Sequence, residues 1–315
     1  MKKFIVILGI LLIVIFTGSI LKDQIIKFVI TTVATQVTGA PVHIDGFSLS
    51  VSSQSVRISG FKIYNPKGFS RGILVDLPKI NVKYDLGALL KKKLHLVNVA
   101  IEIKEIGLER NKEGKLNVDE LKVVKQGGKQ GSKPAEQMPM QLDMLSLGMG
   151  RIVSKDYSAG AEPVVKVYDI NIHKSYKNIT SVQQLAALIL AEPMKAAGIQ
   201  GAAIYGVAML TGVAVLPVAV ALTFMGRDSV QQEFTVTFDN VYEEALKVLR
   251  RQGKIANEDK ARGIINAGIK SAQVNVKIIK KTVNRTQVVV SARKYLLPKP
   301  EIAGGILYEI SAKLN

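Results

Sequence analysis

Three changes of parity in a run of alternating residues constrain this chain most. Phe47, Leu49 and Val51 alternate with polar residues, and Val56 and Ile58 do the same. The alternation then passes to Phe61 and Ile63 on the other parity, with Gly60 at the switch. Ile73, Val75 and Leu77 alternate up to Pro78, after which Ile80, Val82 and Tyr84 continue on the opposite parity. Leu94 and Leu96 hand over to Val97, Val99, Ile101 and Ile103. A period of two marks strands with one buried face. Glycine at a parity switch predicts a bulge, which curves a sheet, and proline marks a corner. Several such strands at short spacing predict a curved antiparallel sheet, a β-groove.

The ends of this region set its surroundings. Met1-Lys2-Lys3 precedes Phe4–Leu21, 18 residues without a charge. As a helix that length crosses most of a bilayer's hydrocarbon core. The lysines before it place the N-terminus in the cytoplasm and residues 22–195 on the opposite side of the membrane, which is the periplasm if the cell is bacterial. A cleaved signal peptide is the alternative, but the apolar stretch is long for one and Phe16-Thr17-Gly18-Ser19 offers no clean A-x-A site. The expectation is therefore a membrane protein with a single N-terminal anchor. Residues 22–39 read as a helix continuing from it. The polar, Gly-rich stretch 125–137 reads as a flexible loop. Strand patterns at 140–147, 151–157 and 164–173 can extend the same sheet.

Residues 182–195 read as a helix, followed by 196–226, 31 residues with no formal charge. This Gly/Ala-rich segment predicts a membrane-associated helix. Gly198, Ala202 and Gly206 lie four apart on one helical face, where small residues let helices approach closely in lipid. Gly212 and Pro217 permit a re-entrant hairpin in place of a full crossing, and burial within the protein is the third reading. The C-terminal part predicts a strand through Phe234, Val236 and Phe238, and a helix at 240–251 capped by Asp239 or Asn240 and ended by Gly253. Strands at 261–269, 272–280 and 285–293 and a closing helix at 301–313 complete a small two-layer α+β domain. The expected division is an anchor at 1–21, a β-groove domain at 22–181, an apolar helical segment at 182–226 and the α+β domain at 227–315, so the fold class is α+β.

The residue inventory argues against chemistry. Cys is absent, which excludes disulfides, thiolate metal sites and Cys nucleophiles; three His make a His-rich metal site unexpected. Gly68-Phe69-Ser70-Arg71-Gly72 fits G-x-S-x-G, but a nucleophile elbow needs a strand before it and a helix after it. Here Asn65-Pro66 precedes the match and a strand pattern comes after it, so it reads as a turn. Ser291-Ala292-Arg293-Lys294 fits S-x-x-K without the companion motifs. No catalytic residue and no cofactor is expected. Lys and Arg total 43 against 25 Asp and Glu, a net charge of +18 spread along the chain. Such a surface suits anionic phospholipid or nucleic acid. A basic helix, stacking aromatics or a finger motif would accompany nucleic-acid binding, and the sequence carries none of them.

The order of these features resembles the AsmA-like family. The motifs that carry the resemblance are Thr38-Gly39-Ala40-Pro41-Val42-His43-Ile44-Asp45, and Val56–Gly60 running into Phe61–Phe69. Leu77–Tyr84, Leu86–Leu90, Leu94–Ile103 and Asn111–Leu121 come next in the family's order, so the resemblance spans roughly residues 1–175. It implies a bacterial inner-membrane anchor, a periplasmic β-groove of the kind found in lipid-transfer proteins, and a role in lipid transport or envelope maintenance without an enzymatic step. The expected partners are phospholipid or a membrane surface, and envelope proteins. Candidate groove-lining residues are Phe47, Leu49, Val51, Val56, Ile58, Ile80, Val82, Tyr84, Val99, Ile101 and Ile103. If these pack under a helix as an ordinary core, the alternative is a membrane-tethered scaffold for envelope proteins.

Overall fold

The computed structural model describes residues 22–91, 93–127, 140–158, 160–199, 203–212 and 229–314, and twelve strands lie among them, most built on alternating apolar residues. The expected anchor at 1–21, most of the loop at 125–137 and most of the apolar segment at 196–226 lie outside the described residues. Among the described residues, no helix is long and apolar enough to cross a membrane.

The chain divides into two compact units. The first comprises Met1–Glu109, Lys115–Ile152 and Ile170–Ala219; the second comprises Arg110–Gly114, Val153–Asp169 and Val220–Asn315. The short stretches 110–114 and 153–169 thus group with the C-terminal residues and not with 22–181. The overall class is mixed α and β with curved sheets.

Strands β1 (Val42–Ser50), β2 (Ser55–Tyr64), β3 (Ile73–Tyr84), β4 (Leu94–Arg110), β5 (Met140–Asp156) and β6 (Val164–Ile179) lie side by side in chain order, and all but the ends at 110, 153–156 and 164–169 belong to the first unit. The patterns at 140–147 and 151–157 are one strand, β5. The parity switches at Gly60 and Pro78 sit where the sequence puts them, but they are not bulges; the one from Leu96 to Val97 is a bulge, since Lys83 pairs with Asn98 and Tyr84 with Leu96. Phe47 pairs with Ile58 and Ile44 with Phe61, in unbroken register across Gly60. Ile58 pairs with Ile80 and Phe61 with Leu77, unbroken across Pro78. No residue is inserted at either. Instead neighbouring strands turn over at the same level, at Gly60 with φ +61° and at Pro78, which has no N–H to donate. A side chain at Gly60 would also collide with the carboxylate of Asp45 on the next strand. Apolar residues of both parities thereby reach the same face.

Helix α1 (Lys22–Thr38) guards the open edge of this sheet. Asp23 accepts from the Leu49 amide at 3.2 Å, Lys22 donates to the Leu49 carbonyl at 3.0 Å and Lys27 to the Asp45 carbonyl at 2.8 Å. Outward-facing groups of an edge strand are a liability unless occupied in this way. A short helix, α2 (Leu86–Leu90), is capped by Asp85, whose side chain accepts from Ala88. A 3-10 turn (Asn117–Glu120) and α3 (Lys122–Gly127) come after β4, and α4 (Val182–Ala196) and α5 (Ile204–Leu210) after β6.

The second unit holds a sheet ordered β12-β11-β10-β9-β8, from β8 (Lys254–Asp259), β9 (Ile264–Ile269), β10 (Ala272–Thr282), β11 (Arg285–Lys294) and β12 (Leu297–Pro298). Strand β7 (Ser229–Phe234) also pairs with β11. Helices α6 (Phe238–Gln252) and α7 (Pro300–Leu314) share one apolar cluster with this sheet, including Val241, Leu249, Val276, Val290, Ile306 and Ile310. Two layers are the result. Phe238 opens α6 and does not end a strand: its ring stacks on Tyr242 one turn on, with centroids 5.9 Å apart. The residue capping α6 is Thr237, in place of Asp239 or Asn240.

Candidate functional site

The face on which both parities converge is not packed solid. It borders an apolar cavity of about 560 Å³, lying wholly within the first unit. Its floor is the sheet: Phe61 and Ile63 from β2, Val75, Leu77, Ile80 and Val82 from β3, and Leu94, Leu96, Val99 and Ile101 from β4. One wall is α1, through Val29, Val33 and Val37 at i, i+4 spacing with Ile30 and Ala34 beside them. Another wall is α4, through Val182, Leu185, Ala186 and Ile189. Leu89 of α2 and Leu121 and Val123 add to the lining.

Thr38 is the one polar residue among those lining it, and its hydroxyl already donates to the Ala34 carbonyl at 2.8 Å. The cavity therefore offers shape and apolar surface, without a group that would activate a nucleophile or hold a metal. Among the described residues no cluster of His, Asp and Glu is arranged to bind a metal ion. Sites for small molecules span roughly 300–1,000 Å³, and this volume falls among them.

Val75, Leu77, Val99 and Ile101 of the floor are buried, but much of the rest of the lining is not buried as a core is. Val29, Val33, Val82, Phe61, Leu185 and Ile189 remain half-exposed, although they face one another across the interior. Packed interiors leave few voids larger than a water molecule. At about 30 Å³ for a group the size of a water, this cavity has room for roughly 19 such groups.

Comparison with known proteins gives a family: the sequence matches the AsmA family over residues 1–291. The chain belongs to the AsmA family. The match takes in residues well beyond 1–175, so membership is not confined to the N-terminal part. The AsmA family is associated with the envelope membranes of bacteria, and the function is accordingly an envelope-associated one. No curated protein matches the chain.

Within this AsmA-family fold the eleven candidate groove residues separate. Ile80, Val82, Val99 and Ile101 line the cavity. Phe47, Leu49, Val51, Val56 and Tyr84 do not; they pack beneath the start of α1, around Ile26. Ile58 and Ile103 are buried elsewhere in the core, 7% and 2% exposed. Alternation misses the two helical walls. Their signal is the four-residue spacing of Val29, Val33 and Val37, which the apolar character of a helix read as continuing a membrane span conceals.

The small residues expected on one helical face do not share a helix. Gly198 lies past the end of α4 with φ +67°, and Gly206 lies inside α5; Ala202 is outside the described residues. Ile199 donates to the Met194 carbonyl and Gly198 to that of Lys195, each at 2.9 Å, a Schellman end that stops the helix at this glycine. Asp119 then caps the next helix, accepting from Ala203 at 2.7 Å.

Ser70 of the G-x-S-x-G match lies in the turn between β2 and β3. Its hydroxyl donates to the buried carboxylate of Glu109, which also accepts from the Ser70 amide at 2.8 Å and from Asn65 at 3.3 Å. Asn117 donates to Asn65 and to the Gly107 carbonyl, which closes the network. This network fixes the turn to β4 and leaves the hydroxyl committed to a carboxylate.

Proposed function

We propose that this AsmA-family protein is a non-enzymatic component of the bacterial envelope, anchored in the inner membrane with its main domain in the periplasm. Its cavity receives the acyl chains of a phospholipid, in support of lipid transport or outer-membrane biogenesis. One observation carries this reading: an apolar volume floored by sheet and walled by helices, whose helical walls and part of whose floor stay half-exposed where a packed core would be buried. Each methylene moved there from water contributes about 0.8 kcal/mol, so a dozen contribute roughly 10 kcal/mol before the costs of immobilisation. The lining presents no free polar group, so the headgroup belongs outside. A purely structural scaffold has no use for such a volume.

Native mass spectrometry of the purified full chain tests the proposal. Val82 is a half-exposed cavity residue, whereas Ile101 is 4% exposed and also part of the core. Val82→Asp and Ile189→Asp are therefore expected to lower bound phospholipid tenfold or more while leaving thermal unfolding unchanged, because an apolar site disfavours a carboxylate. Ile101→Asp is expected to destabilise the fold itself. Phospholipid retained in full by both cavity variants overturns the proposal.

A further inference from the structure

The two-residue turn joining β11 to β12 is built from residues that such turns avoid. Lys294 pairs with Leu297 and Arg293 with Pro298, which leaves Tyr295 and Leu296 as the loop. Both have positive φ, +50° and +67°. Paired positive values mark the type I′ hairpin, where Asn-Gly is favoured because a bulky side chain is strained there. Here the strained positions carry a tyrosine 82% exposed and a leucine 88% exposed, with Leu297 next at 64%. Large apolar side chains thus stand in solvent at the tip of a hairpin, on a backbone that would be relaxed by small polar ones. Strain of this kind concentrates at functional sites.

The charge around the tip is predominantly positive. The Lys294 ammonium lies 5.6 Å from the centre of the Tyr295 ring. Lys299 stands two residues after Leu297, and exposed Lys254 and Lys270 lie at the same end of the sheet, at the start of β8 and in the β9–β10 turn. The acids nearby are Glu301, 3.8 Å from Lys299, and Asp156, which senses the charge of Lys270.

We infer that this tip inserts into the interface of an anionic phospholipid bilayer. A tyrosine with its amphipathic ring, leucines beside it and lysines behind match the layers of that interface: hydrocarbon, headgroup and anionic surface. The tip is a wedge of three side chains. It lacks the roughly 1,000 Å² that a stable protein interface buries, so a protein partner fits it less well. The inference stands apart from the cavity, which belongs to the other unit.

The chain contains no tryptophan, which makes the test local. Tyr295→Trp in the full chain, reconstituted into phosphatidylglycerol vesicles, is expected to show blue-shifted emission and quenching by lipids brominated on their acyl chains. Both effects are expected to weaken when Lys294 and Lys299 are also changed to Gln. Val283→Trp, 72% exposed in the β10–β11 turn at the opposite end of β11, serves as the control and is expected to remain in water. Because the readout belongs to one residue, any other attachment of the chain to the vesicle does not contribute. Emission at 295 that stays aqueous and open to iodide overturns the inference. So does equal quenching at 283, and so does a blue shift that appears without lipid, which would indicate contact with protein.

Discussion

His95 shows how single residues hold the cavity's rim. It alternates out of the lining between Leu94 and Leu96, and its ring nitrogens meet Asp143 of β5 at 2.8 Å and Asp85, the cap of α2, at 3.4 Å. The hydrogen bond to Asp143, and after it the pull of Asp85, raises its pKa above the ordinary histidine value. A histidine raised by folding binds its proton more tightly in the folded state. Its stabilising contribution is complete below the ordinary value of about 6.5 and disappears as pH rises through the higher folded value. An NMR titration should find the His95 midpoint above the ordinary value, and Asp143→Asn should lower it; a midpoint that ignores the substitution contradicts the account. Sequence cannot pair these groups, because Asp143 lies 48 residues from His95 and meets it only through the β4–β5 neighbourhood. Ile80, Val82, Val99 and Ile101 are readable, since two-residue alternation alone puts them on one face.

Among elements, the β11–β12 turn makes the sharpest energetic prediction. A non-glycine residue held at positive φ costs about 1–3 kcal/mol. Leu296→Gly should therefore raise the unfolding free energy by about 1 kcal/mol, read from urea denaturation, although it removes an exposed leucine that nothing in the fold requires. A loss of stability would mean that the leucine packs in the native state. Strands with strong alternation are evident in the sequence; β8 is not, because Lys254–Asp259 is an edge strand with a largely exposed, polar pattern. Phe234, Val236 and Phe238 mislead for the opposite reason. They alternate correctly, but Phe238 is taken by the helix, where it stacks on Tyr242. The turnover at Gly60 and Pro78 is visible as a change of parity. That the strands make it together, without an inserted residue, depends on register, which one strand's sequence does not contain.

For the whole molecule, the claim is that an AsmA-family chain uses a sheet of six strands with two helices to enclose an apolar volume, and that the volume is for lipid. The chain's apolar patterning foretells the sheet; the enclosure comes from helices that return over it from both ends of the unit, a long-range arrangement. The most direct measurement is photocrosslinking of the full chain with a phospholipid carrying a photoreactive group at the end of one acyl chain, mapped by peptide mass spectrometry. The account predicts adducts on the cavity faces of α1 and α4, around Val33 and Ile189, and their loss in Val82→Asp. Adducts confined to residues 1–21 or to the outer face of the sheet, with none on these helices, would contradict it.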